Sequence, residues 1–147
     1  MRHLDYPPVW LGGALLLAWA QARLWPMALA PAWLTAAGAL LALLGIGLLA
    51  AAALQFLRAG TTIVPHRMPA ALITQGPYRF SRNPIYLGDA LILAGLILWW
   101  QAWAMVWLLP AFVVVIDRRF VRPEEARLRA TFGAAFDAYA ARVRRWL

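Results

Sequence analysis

The segment GPYRFSRNPIYLG at 76–88 sets Tyr78, Arg79, Arg82, Asn83 and Tyr86 against the start of an apolar run at 85–100. Polar and charged groups at such a boundary cost free energy unless they line a polar cavity or hold a ligand. Gly76-Pro77 and Asn83-Pro84 are turn dipeptides. Pro84 discourages helix at Asn83 and suits the first turn of the helix that follows. The unpaired amides of that first turn, with Arg79 and Arg82 beside them, could hold a carboxylate or another acceptor. Tyr78 and Tyr86 add flat faces and hydroxyls. A loop that only sets membrane topology would look the same, and spacing alone leaves both readings open.

A second polar cluster, RRFVRPEE at 118–125, closes the next apolar run and contains the one pair of adjacent acids, Glu124 and Glu125. These acids either stabilise a helix N-terminus or bind ribose hydroxyls, an amine or a cationic centre. Asp89 stands one turn inside the apolar run, where an acid is a functional-site candidate with an arginine from 82 or 118–122 as its expected partner. Near a helix start it can equally be hydrated and stabilised by the helix dipole. Asp117, next to Arg118 and Arg119, reads as a structural ion-pair partner. His66 has no second histidine near it, since His3 is at the far end, so no metal site is expected. The absence of cysteine removes disulfides, thiolate nucleophiles and thiolate metal sites.

The elements that must position these groups are strongly apolar. Of the 147 residues, 64% are hydrophobic and 14% charged, with a mean hydropathy of +0.66. Soluble domains carry about 25% charged residues, so the chain reads as an integral membrane protein. It is expected to form one all-α domain, a polytopic bundle of about four transmembrane helices followed by an amphipathic cytoplasmic helix. The apolar runs lie at 9–25, 33–57, 85–100 and 102–116. They predict an N-terminal hairpin within 1–58 and a core within 59–147 that carries both polar clusters. The third and fourth runs form a tight hairpin, and Pro110 is expected to kink the fourth or free a carbonyl. Ala28-Leu29-Ala30 has the small-x-small form of a signal cleavage site, but Arg23 and Trp25 precede it and a second run follows at once. The first run therefore reads as a retained helix.

The net charge of +8 comes from 14 basic residues, all arginine, against six acids. No soluble module is present to carry nucleic-acid binding, so the charge points to topology and anionic lipid contact. Arginines concentrate at 58–84 and beyond 118. The positive-inside rule then puts both termini and the 58–84 segment in the cytoplasm. Alanine–arginine bias suggests a bacterial inner membrane. Trp25, Trp33, Trp99, Trp100 and Trp103 form the opposite interfacial belt. Gly38, Gly45 and Gly47 in the second run predict close helix packing. In the tail, Leu128, Phe132, Phe136, Tyr139, Val143 and Trp146 form one apolar stripe, which predicts a helix over 123–146 starting at Pro123. Gly133 inside it costs about 1 kcal/mol relative to alanine unless the missing side chain matters.

The linked motifs at 76–88 and 124–146 are G-P-Y-R, R-N-P-x-Y-x-G, then E-E-x-x-L and F-G-x-x-F-x-x-Y-x-x-R-V. In this order, with a helical hairpin between them, they resemble the isoprenylcysteine carboxyl methyltransferase and phospholipid methyltransferase group of membrane enzymes. The resemblance covers 61–146, and the N-terminal half adds only generic helices. It implies S-adenosylmethionine as methyl donor, held at the cytoplasmic face by Tyr78, Arg82, Asn83, Pro84, Tyr86, Leu87, Gly88, Glu124 and Glu125. Glu125, Asp89 and Arg119 are the catalytic candidates. Arg118, Arg119 and Arg142 carry over as charge or architecture residues, and an arginine is expected to hold an anionic acceptor.

The prenylcysteine enzymes have histidine where this chain has Asn83. Asparagine donates and accepts hydrogen bonds but does not titrate near neutral pH, which counts against an imidazole base here. The implied activity is transfer of a methyl group to a lipophilic or amphiphilic acceptor: a prenylcysteine-like carboxylate, a phospholipid or a small lipophilic molecule. An NADPH-dependent membrane reductase using the arginines of 118–122 is the alternative enzyme class, and a non-enzymatic membrane scaffold is the third reading. The sequence does not fix the oligomeric state.

Overall fold

The computed structural model describes residues 6–27, 30–60 and 70–147. Arg2, His3, Ala28, Leu29, Thr61, His66 and Arg67 lie outside them, and with them most of the small-x-small triplet. The described residues form helices and turns with no strand among them. The α-helices are α1 (Pro7–Leu24), α2 (Ala32–Arg58), α3 (Pro84–Trp99), α4 (Leu108–Ile116), α5 (Arg122–Phe132) and α6 (Ala134–Arg142). Prolines start α1 and α3, where a missing N–H costs nothing and φ is already helical.

The start of α1, the end of α2, the start of α3 and the start of α5 meet at one end of the bundle. At the other end the Ala30 amide donates to Gln101 Oε1 at 2.8 Å, tying the α1–α2 connection to the α3–α4 turn. Trp25, Trp33 and Trp99 are exposed at this second end.

The tightest packing is the seam between α2 and α3. A Cβ added to Gly38 would lie 2.7 Å from the Gly95 carbonyl, and one added to Gly45 would lie 2.7 Å from the Gly88 carbonyl. One added to Gly95 would strike the Ala42 amide. On α2 Gly38 and Gly45 are seven residues apart, as are Gly88 and Gly95 on α3, two turns of helix, so each helix presents its glycines on one face. Gly47 faces open space and takes no part, which corrects the expectation of three packing glycines. Leu93 and Ile97 of α3, Phe112 and Ile116 of α4, Phe120, Val121 and Ala18 of α1 fill the core on the other side of α3.

Among the described helices, α2 alone is both long and apolar enough to cross a membrane, with a mean hydropathy of 2.4 in its most apolar stretch. Of the four spanning helices expected, one is a clear candidate by length and composition. With 16 residues, α3 is about 24 Å long, short of a ~30 Å hydrocarbon core.

The fourth apolar run is helical only from Leu108, after a short 3-10 turn at Trp103–Met105. Pro110 therefore sits in the first turn of α4, where its missing N–H has no helical partner to lose, and no kink is needed. From α4 the chain continues through a π-helical turn at Asp117–Val121 into α5. Pro123 thus lies inside a continuous helical rod. The wide turn just before it gives its ring room and absorbs the missing hydrogen bond.

Two expectations fail at this rod and its end. The Arg122 amide already donates to the Asp117 carbonyl, so α5 has no free N-terminus for Glu124 and Glu125 to stabilise. The single helix expected over 123–146 breaks at Gly133, whose φ is 49°. No atom lies within 4 Å of where its Cβ would be. Conformation, not space, is what requires glycine there. Phe136 and Tyr139 are buried from α6, while Val143 is extended and Trp146 lies beyond the helix.

Candidate functional site

The loop and four helix ends enclose a cavity of about 330 Å³. Tyr78, Arg82 and Asn83 come from the loop, Ile85, Tyr86 and Asp89 from α3, and Glu124 from α5. Leu49 and Phe56 of α2 and Tyr6, Pro7 and Pro8 at the start of α1 complete the wall. The 3-10 turn at Gly76–Arg79 buries Tyr78, whose ring meets Phe56 edge-on at 5.8 Å. At the α3 start the Asn83 amide donates to Ser81 Oγ at 3.1 Å, and Asn83 Nδ2 donates to the Arg145 carbonyl at 3.0 Å. Asn83 is thereby held at φ −130° and ψ 55°, outside the helical region that a following proline disfavours.

The cavity is rich in acid and aromatic surface. Asp89 is only 5% exposed and makes no hydrogen bond or ion pair among the described residues. None of the described arginines reaches it, Arg82 and those of 118–122 included, against the pairing expected from the sequence. A carboxylate withdrawn from water without a partner is costly, and such groups gather where a ligand supplies the missing interaction. Tyr86 Oη donates to Glu124 Oε2 at 3.0 Å, which aims that carboxylate at the cavity. Tyr139 Oη donates to the Tyr78 carbonyl at 2.7 Å. Burial raises both phenols: Tyr78 goes well above the usual tyrosine range, helped by Glu124, and Tyr139 is pushed up to about 12. Both stay neutral at physiological pH.

The adjacent acids divide the work. Glu124 faces the cavity, whereas Glu125 is 7% exposed and committed to arginines. Arg145 grips it through Nη2 at 2.8 Å and Nε at 3.2 Å. Arg82 Nε stands 3.1 Å from Glu125 Oε1, but its N–H is not aimed at that oxygen and has no hydrogen-bond acceptor. The contact is therefore an ion pair without a hydrogen bond. Arg82 Nη1 donates to the Ala140 carbonyl at 3.2 Å, which brings α6 to the loop.

Of the residues singled out from sequence, Tyr78, Arg82, Asn83, Tyr86, Asp89 and Glu124 are brought together around the cavity. Pro84 and Leu87 are not in its wall, and Gly88 belongs to the α2 seam, where its Cβ would come 2.8 Å from the Gly45 carbonyl. Glu125 lines a small adjoining recess of about 40 Å³ with Phe136 and Tyr139. Arg119 is exposed, stacks over Trp10 of α1 at 5.4 Å and is not in the cavity wall. Arg142 bonds its own helix at the Ala138 carbonyl. Asp117 pairs with Arg122 at 2.6 Å and approaches Arg145, rather than its neighbours 118 and 119. Among the described residues no group of three or more histidine, aspartate and glutamate side chains could hold a metal.

Sequence reasoning missed the contributions of α1 and α2. Tyr6-Pro7-Pro8 is legible as a helix start but carries no sign of facing a cavity. Leu49 and Phe56 look like any other apolar positions.

The residues present suit S-adenosylmethionine. Its sulfonium is attracted to carboxylates such as Glu124 and to the faces of Tyr78, Tyr86 and Phe56. A mainly apolar cavity with a few convergent polar groups is the usual form of a small-molecule site. The sequence model of the phospholipid methyltransferase family matches residues 33–135. That span begins in α2, further towards the N-terminus than the motifs read above, and ends in α6. No curated protein and no solved structure matches the chain. A match over more than half of the chain, which takes in every element of the cavity wall except α1, places the protein in the phospholipid methyltransferase family of membrane methyltransferases.

Proposed function

We propose that the protein uses S-adenosylmethionine to methylate a lipophilic amine at the cytoplasmic face of the membrane. The observation that carries this reading is Asp89, a buried carboxylate with no partner among the described residues, opening on a cavity that a second acid, Glu124, also faces. S-adenosylmethionine supplies an electrophilic methyl group on a positively charged sulfur. Glu124, held by Tyr86, and the rings of Tyr78 and Phe56 would bind that charge.

An amine acceptor must lose a proton before it can act as a nucleophile, and the Asp89 carboxylate is placed to take it. A carboxylate acceptor would need no base but would bring a third negative charge beside Asp89 and Glu124. Arg82, the one cation among the described residues of the cavity wall, is already committed to Glu125 and the Ala140 carbonyl. The charge balance therefore favours an amine, and Asn83 in place of an imidazole is no obstacle. Removal of the site from bulk water strengthens these interactions and aligns the reactants. Exposed arginines at the cavity end of the bundle, Arg58, Arg79, Arg118 and Arg119 among them, support the cytoplasmic assignment.

The test is transfer of labelled methyl groups from S-adenosylmethionine in purified, detergent-solubilised protein, offered a long-chain primary amine or a long-chain carboxylate. Methylation of the amine and not the carboxylate is expected. Methylation of the carboxylate alone would overturn the assignment of acceptor, and transfer to neither would overturn the reading as a whole.

A further inference from the structure

Beyond α6 the chain turns extended at Val143 and crosses the loop that carries Arg82 and Asn83. An extended segment has backbone carbonyls that no helix satisfies, and the loop has donors in the same condition. They satisfy each other. The Arg82 amide donates to the Arg144 carbonyl at 2.9 Å. Ser81 Oγ and Asn83 Nδ2 both donate to the Arg145 carbonyl, at 3.3 and 3.0 Å. The Arg145 side chain then reaches back to grip Glu125 on α5 and lies 3.7 Å from Asp117 in the π-helical turn. Trp146 Nε1 donates to the same Asp117 at 3.4 Å, and its ring packs on the core.

We infer that Arg145 is a positioning residue for the polar cavity, locking a strap over the loop so that Asn83 and Arg82 are held in its wall. The guanidinium is the piece that makes the strap hold. Without it Glu125, a buried carboxylate, keeps among the described residues only the poorly directed contact from Arg82 Nε. A buried charge left so poorly compensated draws in water or moves, and Arg82 moves with it. The strap then loses its anchor on α5 and its carbonyls leave the loop. Arg145 touches neither cofactor nor acceptor in this account, so it acts through Arg82, Asn83 and Glu125. For its effect on ligand binding, the inference rests on the cavity being the S-adenosyl site.

The experiment pairs hydrogen–deuterium exchange at the Arg82 amide with titration of S-adenosylhomocysteine in detergent. It compares wild type, Arg145→Gln, Arg145→Lys and the control Arg127→Gln. Arg145→Gln protein that keeps a cooperative melt is expected to exchange at Arg82 about tenfold faster and to bind about tenfold more weakly. Arg145→Lys keeps the charge without the planar fork and should fall between, and Arg127→Gln should match wild type. Exchange at the wild-type rate in Arg145→Gln overturns the inference, and so does faster exchange with unchanged affinity. Should the glutamine variant not fold, Arg145→Lys decides by the same two readouts. If wild type binds no S-adenosyl ligand, the cofactor reading fails, and exchange at Arg82 alone still decides the strap.

Discussion

On the α2–α3 side of the molecule, Gly38 and Gly45 press against Gly95 and Gly88 so closely that an added Cβ would meet backbone atoms. On the α1–α4 side, Gly12 and Gly13 have nothing within 4 Å of where a Cβ would be. An apolar groove of about 580 Å³ runs there, lined by Val9, Trp10, Leu17, Leu108, Phe112 and others. The two sides have similar composition and opposite packing. The seam fixes the part of the wall that carries Asp89 and Tyr86, because both sit on the helix that α2 grips. The α1 part of the wall, Tyr6 to Pro8, is held on the looser side. The candidate site is thus mounted on the close-packed side, and the free volume of the other side is the apolar groove.

The sharpest way to break this contrast is Gly95→Leu, which must push α2 and α3 apart. Overpacking of a close seam costs about 1–3 kcal/mol or more, and here backbone meets side chain. Loss of the cooperative thermal transition in detergent, or of folded protein altogether, is expected. Asp89→Asn tests what the rigid wall carries. It keeps the shape and removes the base, so turnover should fall by about 10²-fold or more with the melting temperature nearly unchanged. Turnover near the wild-type value would show that Asp89 is only structural.

Tyr139→Phe comes next, because it strands the buried Tyr78 carbonyl at a cost of about 1–3 kcal/mol. Its pH dependence has a definite sign. Folding raises the Tyr139 phenol to about 12 from an unfolded value near 10, so its contribution is complete below about pH 10 and disappears as pH rises through 12. Melts recorded between pH 8 and 11.5 should therefore fall more steeply for wild type than for the phenylalanine variant. Gly133→Ala forces a side chain into a positive φ and should cost about 1 kcal/mol, read from the same melts. The smallest effect belongs to the loose side. Gly13→Leu has open space inside α1 and should cause no loss of stability, relief of the helical glycine raising it by up to about 1 kcal/mol. A collapse of Gly13→Leu comparable to that of Gly95→Leu would dissolve the contrast.

Much of the candidate cavity was legible because its residues are polar in an apolar chain. Tyr78, Arg82, Asn83, Tyr86, Asp89 and Glu124 all stand out against their surroundings, and all line the cavity. The all-helical architecture followed from hydropathy in the same way. Partners were harder to read. Asp89 was expected to meet an arginine, but the arginines near it found better-placed acids, with Glu125 taking Arg82 and Arg145. Nothing in the local sequence ranks such competing pairs, since they join positions far apart in the chain. The acidic pair looked like the start of a helix because Pro123 precedes it, yet the rod runs through Pro123 from α4 by widening into a π-helical turn. Gly133 shows the same limit. Its energetic penalty in a helix was visible, but only the backbone reveals that the helix stops there.

The central claim is that the cavity between the loop, α3 and α5 is the cofactor site. Titration of S-adenosylhomocysteine and NADPH into folded wild type, Glu124→Gln and Arg119→Gln tests it most directly. The account predicts that wild type and Arg119→Gln bind S-adenosylhomocysteine alike, that Glu124→Gln binds it at least about tenfold more weakly, and that none of them prefers NADPH. Failure of folded wild type to bind the S-adenosyl ligand would contradict it, as would binding that depends on Arg119 and not on Glu124.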